Sequence, residues 1–232
     1  MKTFCMGSCR TYKPCDRLDY VTRFPYGTVH SARETLQNFK ILLGKQTIQE
    51  DLLKYSFRID KEMHIVRPKL LDLSGFDNFI IEISSLKNSF YHGTYFHFHW
   101  EQAALKWQKP KYEVKEIKDN YELLLEKCQA IYDLLGRRPI LFLAHNTLTE
   151  LKERYIIAAA LKTFVDEHEN CQFIDPASLV AFYGKEKCIL KDDQYHSATH
   201  QTEFFNDVMA GKMNSLLTER EITLEELEKE LK

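Results

Sequence analysis

The chain has 232 residues, of which 44% are hydrophobic and 28% charged, and its 32 basic and 34 acidic residues leave a formal net charge of −2. This composition excludes a chain that is disordered throughout, and the lack of a basic stripe argues against nucleic acid as the main partner. No apolar run approaches the roughly 18 residues that a membrane span requires. The first residues lack the basic and then apolar layout of a signal peptide, so we expect a cytoplasmic protein.

The first predicted element is a short strand over residues 2–6 that ends at Gly7. A glycine directly after a strand permits a tight turn in which the backbone can approach a ligand closely. Two candidate nucleophiles, Ser8 and Cys9, therefore lie at the carboxyl end of the strand, the edge at which open parallel sheets bind ligands. A hydroxyl or thiol there needs a base within hydrogen-bond reach and a third group to orient that base.

The six cysteines are expected to be reduced thiols, because the chain is long and its predicted location is cytoplasmic. Their spacing near the start of the chain does not match a zinc site. Four of them lie in apolar patterns and are predicted to be small core residues: Cys5, Cys128, Cys171 and Cys188.

A polar loop over residues 10–28 is predicted next, followed by a helix over residues 30–43 that ends at Gly44. His30 and Glu34 are four residues apart and share a face of that helix. The simpler interpretation is a capping pair in the first turn. The alternative places His30 at the rim of the site, because the helix begins close to the Gly7 turn.

A strand is predicted over residues 63–66, and residues 79–83 form the clearest buried parallel strand in the chain. Glu82 lies inside this apolar run, and a buried carboxylate needs a partner. It either bonds a neighbouring loop or pairs with a cation of the site such as Arg10. The strand ends in Ser84 and Ser85, at the same edge of the sheet as Cys9.

An aromatic-rich excursion follows over residues 88–115 and contains a predicted strand or hairpin over residues 95–100. Its aromatic rings either pack the excursion itself or form a lid whose flat faces stack on a ligand such as a sugar. Three histidines in it, His92, His97 and His99, have no nearby carboxylate or cysteine to complete a ligand set, so no metal site is predicted.

The next predicted elements are a long helix over residues 117–135 and a buried strand over residues 139–144. This strand places His145 and Asn146 at the carboxyl edge of the sheet, where a ligand is expected to bind. The remaining predicted elements are a helix from residue 147 to about 168, a strand at 172–174, a helix at 176–183 and a helix that ends at about residue 209.

Strands that alternate with helices of this length predict an α/β fold, a three-layer sandwich around a parallel, flavodoxin-like sheet of five strands. We expect one domain over residues 1–212. A charged helical tail over residues 213–232 is expected to follow it.

Three features together resemble the layout of the SGNH/GDSL hydrolases over most of residues 1–210: the strand with Gly7-Ser8-Cys9, the strand that ends in small polar residues, and an Asp-x-x-His motif at Asp193 and His196. The Gly-Ser-Cys variant resembles the GSCFA-type branch. It is also similar to bacterial proteins classed as capsule-polysaccharide acetyltransferases, which carry Gly-Asn-Cys at this point.

The resemblance implies a Cys-His-Asp catalytic set. Cys9 falls on the nucleophilic Ser of the family and Ser8 on the residue before it. His196 falls on the catalytic base and Asp193 on the acid that orients it, although Ser8 remains an alternative nucleophile.

The resemblance also places Ser84 and Ser85 near the segment that normally donates an oxyanion-hole Asn, which this chain lacks. Asn146 or a serine hydroxyl is expected to supply the missing donor, and Arg10 and His145 complete the predicted substrate-binding and oxyanion-binding set.

The resemblance therefore predicts an acyl-transfer enzyme that acts on an ester through a thioester at Cys9, in particular an O-acetyltransferase for a carbohydrate or polysaccharide. No tightly bound cofactor is expected, an acyl-CoA is a candidate donor, and the acceptor is a carbohydrate or another small molecule. Two alternatives stay open: an SGNH-type esterase or O-deacetylase that uses water, and a non-catalytic carbohydrate-binding or assembly protein on the same fold.

Overall fold

A computed structural model describes residues 1–56, 68–96, 114–145, 152–190 and 201–218. The strands are β1 (Thr3–Met6), β2 (Val21–Arg23), β3 (Asn78–Glu82), β4 (Lys87–Tyr91), β5 (Thr94–Phe96), β6 (Lys115–Lys118), β7 (Ile140–Leu143) and β8 (Cys171–Ile174). The helices are α1 (Cys9–Cys15), α2 (Ala32–Leu42), α3 (Glu50–Ser56), α4 (Tyr121–Leu134), α5 (Lys152–Asp166), α6 (Pro176–Tyr183), α7 (Lys185–Cys188) and α8 (Glu203–Thr218), with a short 3₁₀ helix at Leu73–Gly75.

Five parallel strands form the central sheet, in the order β2-β1-β3-β7-β8. Helix α4 packs on α2 and on α5, and α1 packs on α8. The strand order is that of doubly wound, flavodoxin-like folds, in which helices cover both faces of the sheet. The predicted fold class, a three-layer α/β sandwich around a parallel sheet, is confirmed.

The apolar runs of β3 and β7 explain why these strands lie in the middle of the sheet. Every residue of β7 is buried, as are the last four residues of β3. A strand covered on both faces favours such continuous apolar sequence over alternation. Phe39 of α2 packs against the rings of Phe4 on β1 and Phe79 on β3, each with a centroid distance of 5.9 Å, which fixes α2 on the sheet.

Strands β5, β4 and β6 form a separate antiparallel sheet beside the central one. The β4–β5 hairpin turns at His92 and Gly93, whose φ angles are +43° and +76°. Two positive φ angles at the tip of a two-residue hairpin suit the right-handed twist of the flanking strands. The described parts of the predicted aromatic excursion therefore belong to this sheet, while residues 97–113, with His97, His99 and both tryptophans, lie outside the described residues, as does the predicted strand at 63–66.

The predicted loop at residues 10–28 is wrong, because it contains α1 and β2. Pro14 lies inside α1, and proline in a sequence usually indicates the end of a helix. β2 has only three residues, one partly exposed and two exposed, so it lacks the apolar pattern of a buried strand. The helix predicted from residue 117 begins at Tyr121, because Lys115–Lys118 is an exposed, charged strand whose side chains give no apolar alternation. Asn120 caps that helix by accepting a hydrogen bond from the backbone N–H of Leu123.

Helix α8 continues to Thr218, past residue 212 at which the domain is predicted to end, and it buries Met209 and Met213 in the core. The division into a domain and a tail stays a prediction. Among the residues that the structure describes, no helix is both long enough and apolar enough to cross a bilayer.

Candidate functional site

The turn after β1 is fixed to β3 through the carboxylate of Glu82. Oε2 of Glu82 accepts hydrogen bonds from the backbone N–H of Ser8 at 2.7 Å, from Ser8 Oγ at 2.6 Å and from Thr11 Oγ1 at 2.7 Å. Ser8 is fully buried and Glu82 is 1% exposed. These contacts compensate for the burial of the carboxylate and hold the turn in one conformation.

Arg10 occupies the other oxygen of the same carboxylate. Its Nη2 and Nε lie 3.3 Å and 3.4 Å from Glu82 Oε1, and its side chain is 13% exposed. Glu82 therefore bonds both a neighbouring turn and a cation of the site. Each of the two alternatives that the sequence left open is present in the structure.

Gly7 is required at this turn for space. A Cβ atom at this position would lie 2.8 Å from Glu82 Cβ and 3.1 Å from Glu82 Oε2. The close approach that the glycine permits is therefore to the Glu82 side chain.

Cys9 is the first residue of α1 and is partly exposed, whereas the other five cysteines are buried. Ser8, by contrast, is the N-cap residue: its Oγ accepts from the backbone N–H of Arg10 and donates to Glu82. This contrast favours Cys9 over Ser8 as the nucleophile.

The carboxyl end of β3 contacts the segment that precedes α2. The backbone N–H groups of Ser84 and Ser85 donate to the carbonyl of His30 at 2.7 Å and 2.9 Å, and His30 Nδ1 lies 3.0 Å from Ser84 Oγ. Ser85 Oγ instead accepts from the backbone N–H of Lys87 and donates to its carbonyl. Of the two predicted oxyanion serines, Ser84 contacts a titratable group and Ser85 stabilises the turn into β4.

His30 lies outside α2, which begins after the N-cap residue Ser31. Ser31 Oγ accepts from the backbone N–H of Glu34, and the Glu34 carboxyl accepts in turn from Ser31 Oγ. This is a capping arrangement, and it leaves the His30 ring beside Ser84. Burial raises the pKa of Glu34 from 4.5 to about 7.

His145 follows β7 at the same edge of the sheet and is 5% exposed. Burial lowers its pKa well below 6.5, and the charges of Arg10, Arg154 and His30 lower it further. The imidazole of His145 is therefore neutral at neutral pH and presents one N–H donor.

Arg154, in the first turn of α5, belongs to this cluster and was missed by the sequence analysis. Its Nη1 donates to the Ser84 carbonyl, and its pKa is lowered to about 10 by burial and by the charge of Arg10. A helix that follows a strand of a parallel sheet begins at the carboxyl edge of the sheet. A cation in the first turn of α5 could therefore have been predicted to lie near the site.

Three of the predicted site residues, Asn146, Asp193 and His196, lie outside the described residues. The catalytic base, its orienting acid and one oxyanion donor therefore stay predictions. The ranges that the structure describes contain no group of three or more His, Cys, Asp and Glu side chains placed to hold a metal ion.

Residues 1–106 match the family model of the TviD N-terminal domain. This segment includes Cys9, His30, Glu82 and Ser84. No curated protein matched the sequence at a significant level. Among solved structures, the chain is similar to an acetyl xylan esterase, Est2A, from the rumen bacterium Butyrivibrio proteoclasticus, with a TM-score of 0.36 and 6% sequence identity over 75% of this chain and 55% of that chain.

Proposed function

We propose that this protein is an acyl-transfer enzyme, an O-acetyltransferase that moves an acetyl group to a carbohydrate or polysaccharide through a thioester on Cys9. The observation that carries the proposal is the position of Cys9. It is the partly exposed thiol directly after a turn that Glu82 fixes, at the carboxyl edge of the sheet where Ser84 and His145 also lie.

In the proposed reaction the sulfur of Cys9 attacks the acetyl carbonyl carbon, and the electron pair of the C=O bond moves to the oxygen. When that C=O bond re-forms, the donor leaves with the proton that the base took from the thiol. The hydroxyl oxygen of the acceptor then attacks the thioester carbon and its proton goes to the base. The C–S bond breaks, the acetyl group stays on the acceptor, and the base returns the proton to the sulfur of Cys9. His196 is the proposed base and Asp193 the proposed orienting group.

The match to the TviD N-terminal domain supports an enzyme related to capsule-polysaccharide acetyltransferases. An acyl-CoA is the proposed donor and a carbohydrate hydroxyl the proposed acceptor. The same residues would perform hydrolysis if water were the acceptor, so the acceptor decides between a transferase and an esterase.

Trapping of the thioester tests this proposal. The protein is mixed with acetyl-CoA or p-nitrophenyl acetate, quenched in acid and digested, and the peptide that contains Cys9 is analysed by mass spectrometry. We expect an acetyl group on Cys9 that disappears when a carbohydrate acceptor is added, and none in Cys9→Ala. Turnover of the donor without labelling of Cys9 would assign the chemistry to another residue. A protein that binds the carbohydrate and never cleaves either donor would be a binding module.

A further inference from the structure

Two guanidinium groups lie at the carboxyl edge of the sheet, and the carboxylate of Glu82 forms an ion pair with one of them. Arg10 pairs with Glu82 at 3.3 Å, and Arg154 lies close enough for its charge to interact with those of Arg10 and Glu82. Glu153, whose charge also acts on Arg154, pairs with Lys118. Within the described part of the chain, these three cations and two carboxylates leave one positive charge in excess. Holding like charges together at a buried site is unfavourable unless an anion joins them.

Arg154 contacts the backbone at the position where the resemblance places the oxyanion donor. Its Nη1 donates to the carbonyl of Ser84, which follows β3. In the sheet register Met6 of β1 lies opposite Ile81 of β3, so Ser84 and Cys9 each come three residues after a paired position. Neighbouring strands are about 4.8 Å apart, which brings the two segments side by side.

We propose that Arg154 is a further catalytic residue, which stabilises the oxyanion formed at the acetyl carbonyl when Cys9 attacks it; this rests on the function proposed above. Arg154 would take the place of the absent Asn. A guanidinium has several N–H groups, so the bond to Ser84 leaves others to donate to the oxyanion. Arg10, which Glu82 already neutralises, holds the turn.

Alkylation of Cys9 by iodoacetate and by iodoacetamide tests whether a cation lies beside the thiol, and this test does not depend on acyl transfer. The two reagents transfer groups of similar size and differ in charge. A thiolate repels the iodoacetate anion, so a cysteine without a neighbouring cation prefers the neutral reagent. In the reaction with iodoacetate, the carboxylate lies one carbon further from the sulfur of Cys9 than the oxyanion of acyl transfer would. A guanidinium that can donate to the oxyanion can therefore also reach this carboxylate.

We expect the ratio of the iodoacetate rate to the iodoacetamide rate at Cys9 to fall by about tenfold in Arg154→Gln, since the attraction between opposite charges is lost at a partly buried site. Arg154→Lys should keep most of the ratio. The matched control is Lys162→Gln on the same helix, where an exposed Lys162 pairs with Asp166 at 2.9 Å. It should leave the ratio unchanged.

The same variants connect the cation to catalysis. Formation of the acetyl thioester should slow in Arg154→Gln, with a fall in the maximal rate and little change in KM. Loss of one oxyanion donor typically lowers the rate by roughly a hundredfold to a thousandfold. If Arg154→Gln does not fold, the wild-type protein still tests the site: excess acetate should slow iodoacetate labelling saturably, whereas chloride at equal ionic strength should not.

The outcomes separate the two proposals. An unchanged reagent ratio in a folded Arg154→Gln, together with normal acetylation of Cys9, would overturn the role of Arg154 and make it a structural contact of Ser84. Absence of acetate protection would do the same. A ratio that depends on Arg154 while Cys9 is never acetylated would overturn the acyl-transfer function and leave an anion site beside the thiol.

Discussion

Glu82 Oε2 accepts two hydrogen bonds from one residue, from the backbone N–H of Ser8 at 2.7 Å and from its Oγ at 2.6 Å. The two residues are 74 positions apart in the chain: Glu82 is the last residue of β3, and Ser8 follows β1, the neighbouring strand of the sheet. Because Ser8 directly precedes Cys9, this pair sets the position of the proposed nucleophile. The same carboxylate also neutralises Arg10, so a change at Glu82 affects both the turn and the charge of the site.

Replacement of Glu82 by Gln should strongly destabilise the protein. The change keeps the size of the side chain but removes the charge that compensates Arg10. Removal of one partner from a buried ion pair lowers stability by about 3–5 kcal/mol. Urea unfolding measures the effect. Glu116→Gln is the control, because Glu116 is exposed and its pairing with Lys87 spans 3.8 Å. Equal stability of the two variants would contradict a structural role for the buried pair.

Replacement of Gly7 by Ala should destabilise the protein by about 1–3 kcal/mol, the usual effect of overpacking. The added Cβ would lie 2.8 Å from Glu82 Cβ, so either the turn or the carboxylate must move. Alkylation of Cys9 should change as well, because its turn is displaced. Gly75→Ala is a matched control, since a Cβ there meets no atom within 4 Å. Thermal unfolding of both variants, with identical results, would show that the turn tolerates the methyl group.

The fold was predictable from the sequence where apolar runs dominate. β3 and β7 stand out because their residues are buried on both faces, and helix α6 was predicted with its observed bounds. β2 could not be recognised, because a three-residue, exposed edge strand leaves no apolar pattern. β6 is likewise exposed, and its pairing with β4 decides its structure.

The site was predictable only in part, because its contacts depend on the strand order. The residue types pointed to Cys9, Ser84 and His145, which all follow strands that end at one edge. The sequence alone left open whether Glu82 bonds a loop or Arg10, since both contacts require β1 and β3 to be neighbours. The first turn of α5 contains two cations, Lys152 and Arg154, and only the contact with Ser84 distinguishes Arg154 as the one that belongs to the site.

The buried carboxyl of Glu34 should make stability depend on pH. Its pKa is raised from 4.5 to about 7, so between these values the folded protein keeps a proton that the unfolded chain loses. Stability therefore falls as pH rises from 4.5 to about 7 and changes little above that, by about 3 kcal/mol in all. Urea unfolding at a series of pH values measures it.

Glu34→Gln is the variant for this measurement, because the amide keeps an acceptor for Ser31 and cannot titrate. Its stability should lack the decline in this pH range, whereas Glu116→Gln should retain it. A wild-type stability that stays flat or rises over the same range would contradict the raised pKa of Glu34.

Cys9 should react with iodoacetamide at neutral pH faster than any other cysteine of the chain. The thiolate is the reacting species, and burial raises the pKa of Cys5, Cys128 and Cys171, the last to about 11. Cys9 is partly exposed, and its proposed partner His196 favours the thiolate. Labelling is followed peptide by peptide by mass spectrometry.

His196→Ala should slow labelling of Cys9, and Cys9→Ser should keep little acyl transfer, because an alcohol has a far higher pKa than a thiol. Ser8→Ala removes the buried hydrogen bond to Glu82 and the N-cap contact with the backbone N–H of Arg10, so it should lower stability by about 1–3 kcal/mol and leave an active thiol. Full activity of Cys9→Ala, with loss of activity in a folded Ser8→Ala, would make Ser8 the nucleophile.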